Sequence, residues 1–266
     1  MIRTSIVWVT LTATAVLLIM GSQPASAATQ LYGAHRGEGW PSPNSQDSSL
    51  AIAQAIADPE AWFVESDVWR TAKDGLGLMQ HDNDLSVASD CAGLISTRKR
   101  ADILAHCRMD DGSVPQTVEQ YVHVTTSAQK HAILHVKTYS STFYTYLKGV
   151  LRAEPNARAY VRVMLPSPAT VKAMLTMLPD WYFEYVVSGP ASASTVSATR
   201  ALGSHVRVML APASLTGAMP SSWITPWRGV MPLDMCTYNH DQDVQSHASY
   251  FQRVLTRNIP ATKAAA

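Results

Sequence analysis

Residues 132–164 have the sequence AILHVKTYSSTFYTYLKGVLRAEPNARAYVRVM. Ala132–Val136 and Ala159–Met164 are short apolar runs that favour strands, and the stretch from about Ser141 to Ala153 between them fits a helix. Strands that alternate with helices are typical of a parallel sheet.

The same alternation continues on both sides of this stretch. Further strands are predicted at Tyr32–Ala34, Trp62–Val68, Leu76–Gln80, Phe183–Val187, His205–Leu210 and Gly229–Leu233. Further helices are predicted at Ser49–Ile56, Thr117–Ala128, Ala169–Leu178, Ala193–Leu202 and Val244–Val254. About eight strand–helix units predict an α/β protein with a single-domain (β/α)8 TIM barrel. A doubly wound open sheet is the structural alternative.

Composition limits the classes of partner. The chain has 266 residues, of which 47% are hydrophobic and 15% charged, and its formal net charge is +1. This length suits one sizeable core. The balanced charge gives no electrostatic reason to expect an anionic membrane as partner, and no basic run with interleaved aromatic residues is present. We therefore expect no nucleic-acid partner.

The amino terminus has the pattern of a secretory signal peptide. Arg3 is followed by the apolar stretch Ile6–Met20, and Ala25-Ser26-Ala27 matches the small-x-small cleavage pattern. We expect cleavage after Ala27, so that residues 1–27 are the signal peptide and residues 28–266 form the exported, extracellular domain. An uncleaved membrane anchor is the alternative, although the 15 apolar residues fall short of the roughly 20 that span a bilayer. No later segment is long and apolar enough to cross a membrane.

Export bears on the three cysteines. Cys91 and Cys107 lie 16 residues apart in a polar stretch, and Cys236 is remote from both. In an oxidising compartment, we expect a Cys91–Cys107 disulfide and a buried, unpaired Cys236.

Four short motifs follow apolar runs, where strands are predicted to end. They are His35-Arg36-Gly37, Glu65-Ser66-Asp67, His81-Asp82 and His135-Val136-Lys137. The active sites of barrel enzymes lie at the carboxyl ends of the strands, so these side chains are expected to converge there.

The residue types in these motifs suit metal-assisted attack on a phosphodiester. Glu65 and Asp67 are two apart on one strand and point to the same face, where two carboxylates repel each other unless a cation lies between them. Oxygen ligands favour Ca2+ or Mg2+. His35 and His81 are candidate proton-transfer groups. Arg36 and Lys137 are candidates for binding the substrate phosphate through their cationic side chains.

The order of the motifs resembles the glycerophosphodiester phosphodiesterase family, over roughly residues 31 to 137. The family's motifs are matched by His35-Arg36-Gly37, Asp47-Ser48-Ser49-Leu50, Glu65-Ser66-Asp67-Val68, Thr71-Ala72-Lys73-Asp74-Gly75, His81-Asp82 and the stretch Asp111–Glu119. The resemblance implies a (β/α)8 barrel and one divalent metal ion, Ca2+ or Mg2+. It also implies hydrolysis of a small or lipid-derived glycerophosphodiester to glycerol 3-phosphate and an alcohol, with acid–base catalysis by His35 and His81.

Two residues depart from the family pattern. His135 stands where the family has a metal-binding glutamate. As a ligand beside Glu65 and Asp67, an imidazole would favour Zn2+ or Mn2+ over Ca2+. Asp47 stands where the family has a longer acid at the start of the first helix.

Three other functions remain open at this point. One is a phospholipase-D-like or sphingomyelinase-like enzyme of the same superfamily. Another is a non-catalytic binding module in which His135 marks a degenerate metal site. The third is an unrelated exported glycosidase that pairs Glu65 with Glu184 or Asp234. Nothing in the sequence indicates an oligomeric state.

Overall fold

The computed structural model describes residues 31–37, 45–72, 74–211, 219–236 and 251–256. The predicted signal peptide and its cleavage point after Ala27 lie outside the described residues, so the extracellular location stays a prediction. None of the helices in the described ranges has the length and hydropathy that a bilayer crossing requires.

Eight parallel strands form a closed barrel. The first strand, β1, pairs with both the second and the last strand of the barrel, which closes the sheet and excludes the open-sheet alternative. The predicted (β/α)8 barrel is therefore confirmed. The barrel strands are β1 (Leu31–Ala34), β2 (Phe63–Arg70), β4 (His131–Val136), β5 (Val161–Leu165), β6 (Phe183–Val187), β7 (Val206–Leu210), β8 (Leu233–Cys236) and β9 (Arg253–Thr256).

Two elements of the barrel differ from the sequence prediction. Strand β3 (Gly77–Met79) is not a barrel strand, because it returns antiparallel along β2 as a hairpin. The eighth barrel strand is instead β9, and the helix predicted over Val244–Val254 is wrong at its described end. A four-residue strand carries too few side chains for its period to be distinguished from the end of a helix.

Two predicted strands are displaced along the chain. Ala159 and Tyr160 belong to a short helix, so β5 begins at Val161. Strand β8 begins at Leu233, where the predicted strand Gly229–Leu233 ends. Asp234 therefore lies inside the strand, not at its end.

Helices cover the outside of the barrel, and side-chain caps fix where several of them begin. Ser48 caps the first helix, and Thr117 and Ser167 each form a capping box, which satisfies backbone N–H groups that a helix start leaves without partners. The helices are α1 (Ser49–Ala57), α2 (Arg100–His106), α3 (Val118–Ser127), α4 (Ser141–Ala153), α5 (Ala157–Tyr160), α6 (Pro168–Met177), α7 (Ala193–Arg200) and α8 (Ser221–Ile224).

The barrel interior contains three layers of side chains. A polar layer at the amino-terminal ends of the strands, here called the floor layer, consists of His131, Arg162, Glu184, Arg207, Asp234 and Arg253. Above it lies an apolar layer that includes Phe63, Ile133, Met164, Met209 and Cys236. Gly33 leaves room for this layer, since a Cβ there would lie 2.4 Å from the Phe63 ring. The third layer, at the carboxyl ends, holds Glu65, Asp67 and His135.

An insertion between β3 and α3 carries a small core of its own. Leu85, Ile95 and Ile103 are buried there, and the predicted Cys91–Cys107 disulfide is confirmed. Cys236 is buried and forms no disulfide within the described residues, as expected. The insertion is fixed to the top of the barrel by Asp111, which accepts a hydrogen bond from Ser48 Oγ at 2.6 Å.

Candidate active site

The turn that follows β1 is held in a left-handed conformation. Arg36 and Gly37 have φ values of 55° and 76°. Arg36 donates its backbone N–H to Glu65 Oε2 at 3.1 Å. Any residue larger than glycine is disfavoured at Gly37, both by the positive φ and because its Cβ would lie 2.9 Å from the Ile52 side chain. The turn therefore joins the first motif to the second.

Asp47 links the first helix to the second motif. Its carboxylate accepts hydrogen bonds from Ser66 Oγ at 2.7 Å and from the backbone N–H of Asp67 at 3.1 Å. Its own N–H donates to the Arg36 carbonyl at 3.0 Å. Burial and, secondly, the charge of Asp67 raise the pKa of Asp47 to about 7. The shorter acid at this position thus contacts both segments that carry the first two motifs.

Glu65, Asp67 and His135 form a cluster with the donor set of a metal site. One ligand atom from each lies within 4.8 Å of the other two. Asp67 and His135 are register partners on β2 and β4, which brings His135 Nδ1 to 2.8 Å from Asp67 Oδ1. Both carboxylates are buried, with side chains only 1% exposed.

The cluster fits a divalent cation. Within the described part of the chain, Glu65 Oε1 is buried and accepts no hydrogen bond. Burial and then the charges of Asp67 and Asp47 raise the pKa of Glu65 well above its usual range. A cation beside this oxygen would give it a partner and would reduce the repulsion between the carboxylates.

Asp67 also contacts the two candidate phosphate-binding residues. Lys137 Nζ lies 2.9 Å from Asp67 Oδ1, and Arg36 Nε lies 3.3 Å from Asp67 Oδ2. Burial opposes ionisation of Asp67, but the hydrogen bond and charge of His135 and the charge of Lys137 hold its pKa below its ordinary value. Both cations line the same recess as the metal cluster. They are thus placed beside any diester bound there, although in this structure they pair with Asp67.

The two candidate proton-transfer histidines occupy different positions. His35 is buried, lines the recess, and has its Nε2 3.7 Å from Glu65 Oε2. His81 follows the antiparallel strand β3 and not a barrel strand, so the prediction that all four motifs end barrel strands is wrong for this one. Glu65 and Asp67 also lie inside β2, which continues to Arg70. His81 is not among the described residues that line the recess.

Neighbouring groups orient His81. Its Nδ1 lies 3.0 Å from Asp82 Oδ2, and its carbonyl accepts a hydrogen bond from Trp69 Nε1 at 2.9 Å. Burial lowers the pKa of His81, and the charge of Asp67 only partly offsets this effect. The imidazole is therefore neutral at pH 7 and able to accept a proton.

One half of the recess is apolar, which the sequence motifs did not indicate. The polar residues of the recess come from β2, β4 and the ends of β1 and β4. The apolar half comes from strands β5 to β8 and the residue after β7. It consists of Met164, Val186, Met209, Ala211 and Cys236. Alternate positions of each predicted strand could have indicated most of these residues, since they follow the floor-layer residues at a spacing of two.

The two acids proposed as glycosidase partners of Glu65 lie elsewhere. Glu184 and Asp234 are fully buried in the floor layer and form ion pairs with Arg253. Asp234 is not among the described residues that line the recess, although it directly follows the predicted strand Gly229–Leu233. The glycosidase interpretation therefore lacks its second carboxylate.

Several solved structures of known proteins share this fold. No family model matches the sequence, and no curated protein matches it. A glycerophosphoryl diester phosphodiesterase from Parabacteroides distasonis is 17% identical, with 91% of this chain and 88% of that one covered and a TM-score of 0.67. A phosphodiesterase from Oleispira antarctica, in complex with the product sn-glycerol 3-phosphate, is 15% identical, with 88% and 96% covered and a TM-score of 0.71. For a protein from Galdieria sulphuraria, described as a glycerophosphodiester phosphodiesterase, the identity is 12%, the coverage 90% and 98%, and the TM-score 0.73. The chain has the (β/α)8 fold of the glycerophosphodiester phosphodiesterases.

Proposed function

We propose that the chain is a metal-dependent phosphodiesterase that hydrolyses glycerophosphodiesters to glycerol 3-phosphate and an alcohol. The observation that carries this proposal is the juxtaposition of Glu65, Asp67 and His135 with His35 in one recess at the carboxyl end of the barrel. The structural neighbours of this chain share that fold, and the Oleispira antarctica phosphodiesterase binds sn-glycerol 3-phosphate as product.

The residues of the recess, together with His81 outside its lining, divide the reaction between them. A divalent cation held by Glu65, Asp67 and His135 would supply positive charge to the phosphoryl oxygens as negative charge develops on them. Arg36 and Lys137 fix the orientation of the diester by pairing with its non-bridging oxygens. His35 and His81 are the groups that take a proton from the attacking oxygen and give one to the departing alcohol.

The ligand set also bears on the choice of metal. Two carboxylates alone suit Ca2+ or Mg2+, whereas an imidazole beside them favours Zn2+ or Mn2+. His135 Nδ1 lies 2.8 Å from Asp67 Oδ1, and burial lowers the pKa of this histidine. A neutral imidazole is the form that binds metals, so we propose Mn2+ or Zn2+ as ions to test beside Ca2+ and Mg2+.

The apolar half of the recess supports a second substrate class. Met164, Val186 and Met209 present no charged group to the alcohol portion of a bound diester. A lipid-derived diester such as a lysophospholipid would bury apolar surface there. Phospholipase-D-like cleavage of an intact lysolipid is therefore the second candidate activity.

Export remains part of the proposal. The amino-terminal pattern that ends at Ala27 is that of a secretory leader, and the Cys91–Cys107 disulfide is of the kind that persists in oxidising compartments. Both features support an extracellular enzyme.

An assay with paired substrates tests the function. The purified chain is incubated with glycerophosphocholine or lysophosphatidylcholine, in excess EDTA and after readdition of Ca2+, Mg2+, Mn2+ or Zn2+. We expect release of glycerol 3-phosphate from glycerophosphocholine only when a divalent ion is present. Turnover of lysophosphatidylcholine alone would favour the second candidate.

A matched pair of histidine variants completes the test. His35→Gln should abolish turnover, whereas His106→Gln, at a histidine with a 70% exposed side chain, should not. Ligand binding without turnover under every metal condition would instead identify a non-catalytic binding module.

A further inference from the structure

The floor layer is a second polar cluster, separated from the recess by the apolar layer. Glu184, Asp234 and Arg253 are buried in it, and its other members are partly buried. Asp234 accepts two hydrogen bonds from Arg207, from Nε to Oδ2 and from Nη2 to Oδ1, each 2.6 Å long. Arg253 Nη2 bridges the two acids, donating to Asp234 Oδ2 and to Glu184 Oε1. This network is independent of the proposed active site.

Positive charge exceeds negative charge in the floor layer. Three guanidinium groups, those of Arg162, Arg207 and Arg253, face two carboxylates. His131 adds no charge at pH 7, because burial and then the charges of Arg162 and Arg253 lower its pKa to about 4. The cluster therefore carries one excess positive charge, and an uncompensated buried charge is strongly unfavourable.

Hydrogen-bond donors are in excess as well. Within the described residues, Arg162 Nη1 and Arg253 Nε and Nη1 are shielded from solvent and have no hydrogen-bond partner. The Arg253 side chain as a whole is only 4% exposed. Among the floor-layer atoms that the structure describes, one acceptor, Glu184 Oε2, is in the same condition. Donor atoms on two arginines thus face one acceptor.

Aromatic rings and carboxylates leave these donors few protein partners. The Arg162 guanidinium lies over the Tyr182 ring, 5.0 Å from its centroid, and that of Arg253 lies 5.4 Å from the centroid of Phe63. Both carboxylate oxygens of Asp234 already accept hydrogen bonds. A water molecule can accept from two donors but cannot neutralise the excess charge, whereas a small anion does both.

We propose that the floor layer binds one halide-sized monovalent anion, chloride in solution, through Arg162 Nη1 and one of the unbonded N–H groups of Arg253. The anion supplies the missing negative charge and accepts hydrogen bonds from unmatched N–H groups of both arginines. Its place at the amino-terminal end of the barrel assigns it to stability and not to catalysis.

Unfolding in matched salts tests this proposal. The free energy of unfolding of the full chain is measured in sodium chloride and in sodium gluconate at equal ionic strength. Because only the folded state holds the site, each tenfold rise in chloride beyond saturation should lower the unfolding equilibrium constant about tenfold relative to gluconate. Equal stability in the two salts would overturn the proposal.

Two variants with the same change of charge locate the effect. Arg162→Gln should remove the difference between chloride and gluconate, since it removes both the excess charge and a donor. Arg158→Gln, at an exposed arginine on α5, should retain the difference. A chloride effect that survives in Arg162→Gln would place the anion elsewhere.

A crystal grown from the wild-type chain and soaked in bromide gives a test that needs no variant. We expect an anomalous peak within hydrogen-bonding reach of Arg162 and Arg253. Absence of bromide from the floor layer would overturn the proposal, even if surface sites were occupied.

Discussion

Replacing Asp47 by alanine should destabilise the protein more than almost any other single change near the recess. The substitution removes the acceptor for two buried donors, Ser66 Oγ and the backbone N–H of Asp67. Each buried donor left without a partner costs about 1–3 kcal/mol. Asp47 has a φ of 60°, and alanine in the left-handed region adds about 1 kcal/mol. We expect a total loss of about 3–7 kcal/mol for Asp47→Ala.

Asp47→Asn is the matched control. Its side-chain oxygen still accepts both hydrogen bonds, and asparagine tolerates a positive φ. We expect its free energy of unfolding to lie within about 1 kcal/mol of the wild type. Urea denaturation followed by circular dichroism measures both variants at one pH. If alanine and asparagine proved equally mild, the hydrogen bonds of Asp47 would not hold the second motif in place.

Four further outcomes are expected. Cys91→Ser combined with Cys107→Ser should lower the free energy of unfolding by about 3 kcal/mol, because the disulfide, with its 16-residue separation, reduces the conformational entropy of the unfolded chain by about that amount. Urea titration measures the change, and no loss would show that the insertion is ordered without the bond. His131 has its pKa lowered from 6.5 to about 4 in the folded state, so the unfolded chain takes up the proton first as pH falls. Stability should therefore drop between pH 6.5 and 4, by about 1–2 kcal/mol after allowance for partial exposure, and His131→Phe should flatten that slope in thermal melts. His81→Ala should reduce kcat by roughly 10²–10⁴ in steady-state assays, and an unchanged kcat would exclude proton transfer by this residue. His135→Glu should shift the preferred ion toward Ca2+ or Mg2+ in a metal-by-metal activity screen, and an unaltered preference would show that His135 is not a ligand.

The sequence was sufficient for the class of fold and for the position of three motifs. Short apolar runs at regular intervals indicate barrel strands, and the polar residues that end them fall on one rim because parallel strands share a direction. This reasoning places Glu65, Asp67 and His135 together without coordinates. The Cys91–Cys107 pair followed from spacing and from the expected compartment.

The places where sequence reasoning failed have physical explanations. Strand β3 has the apolar character of a barrel strand, but direction in a sheet depends on the connection, and the Thr71–Gly75 turn is too short for a parallel crossover. Strand β9 is only four residues long and includes Arg253, whose charge argues against a buried strand unless partners are known. Those partners, Glu184 and Asp234, lie on other strands.

The floor layer shows the same limit more generally. Charged residues near the start of a strand look like edge charges in a sequence, whereas in a closed barrel they point inward and pair across it. Alternation predicts that such residues share a face. It does not predict which arginine meets which acid, because that depends on the stagger of strands around the barrel.

Calorimetric titration of the metal-free chain with Mn2+ tests the metal-dependent reaction most directly, with Glu65→Gln as the comparison. We predict one ion bound per wild-type chain, no binding to Glu65→Gln, and phosphodiester hydrolysis that appears in proportion to the bound ion. A wild-type chain that binds neither Mn2+ nor Ca2+, Mg2+ or Zn2+, yet hydrolyses glycerophosphocholine fully in excess EDTA, would contradict the proposed role of the metal.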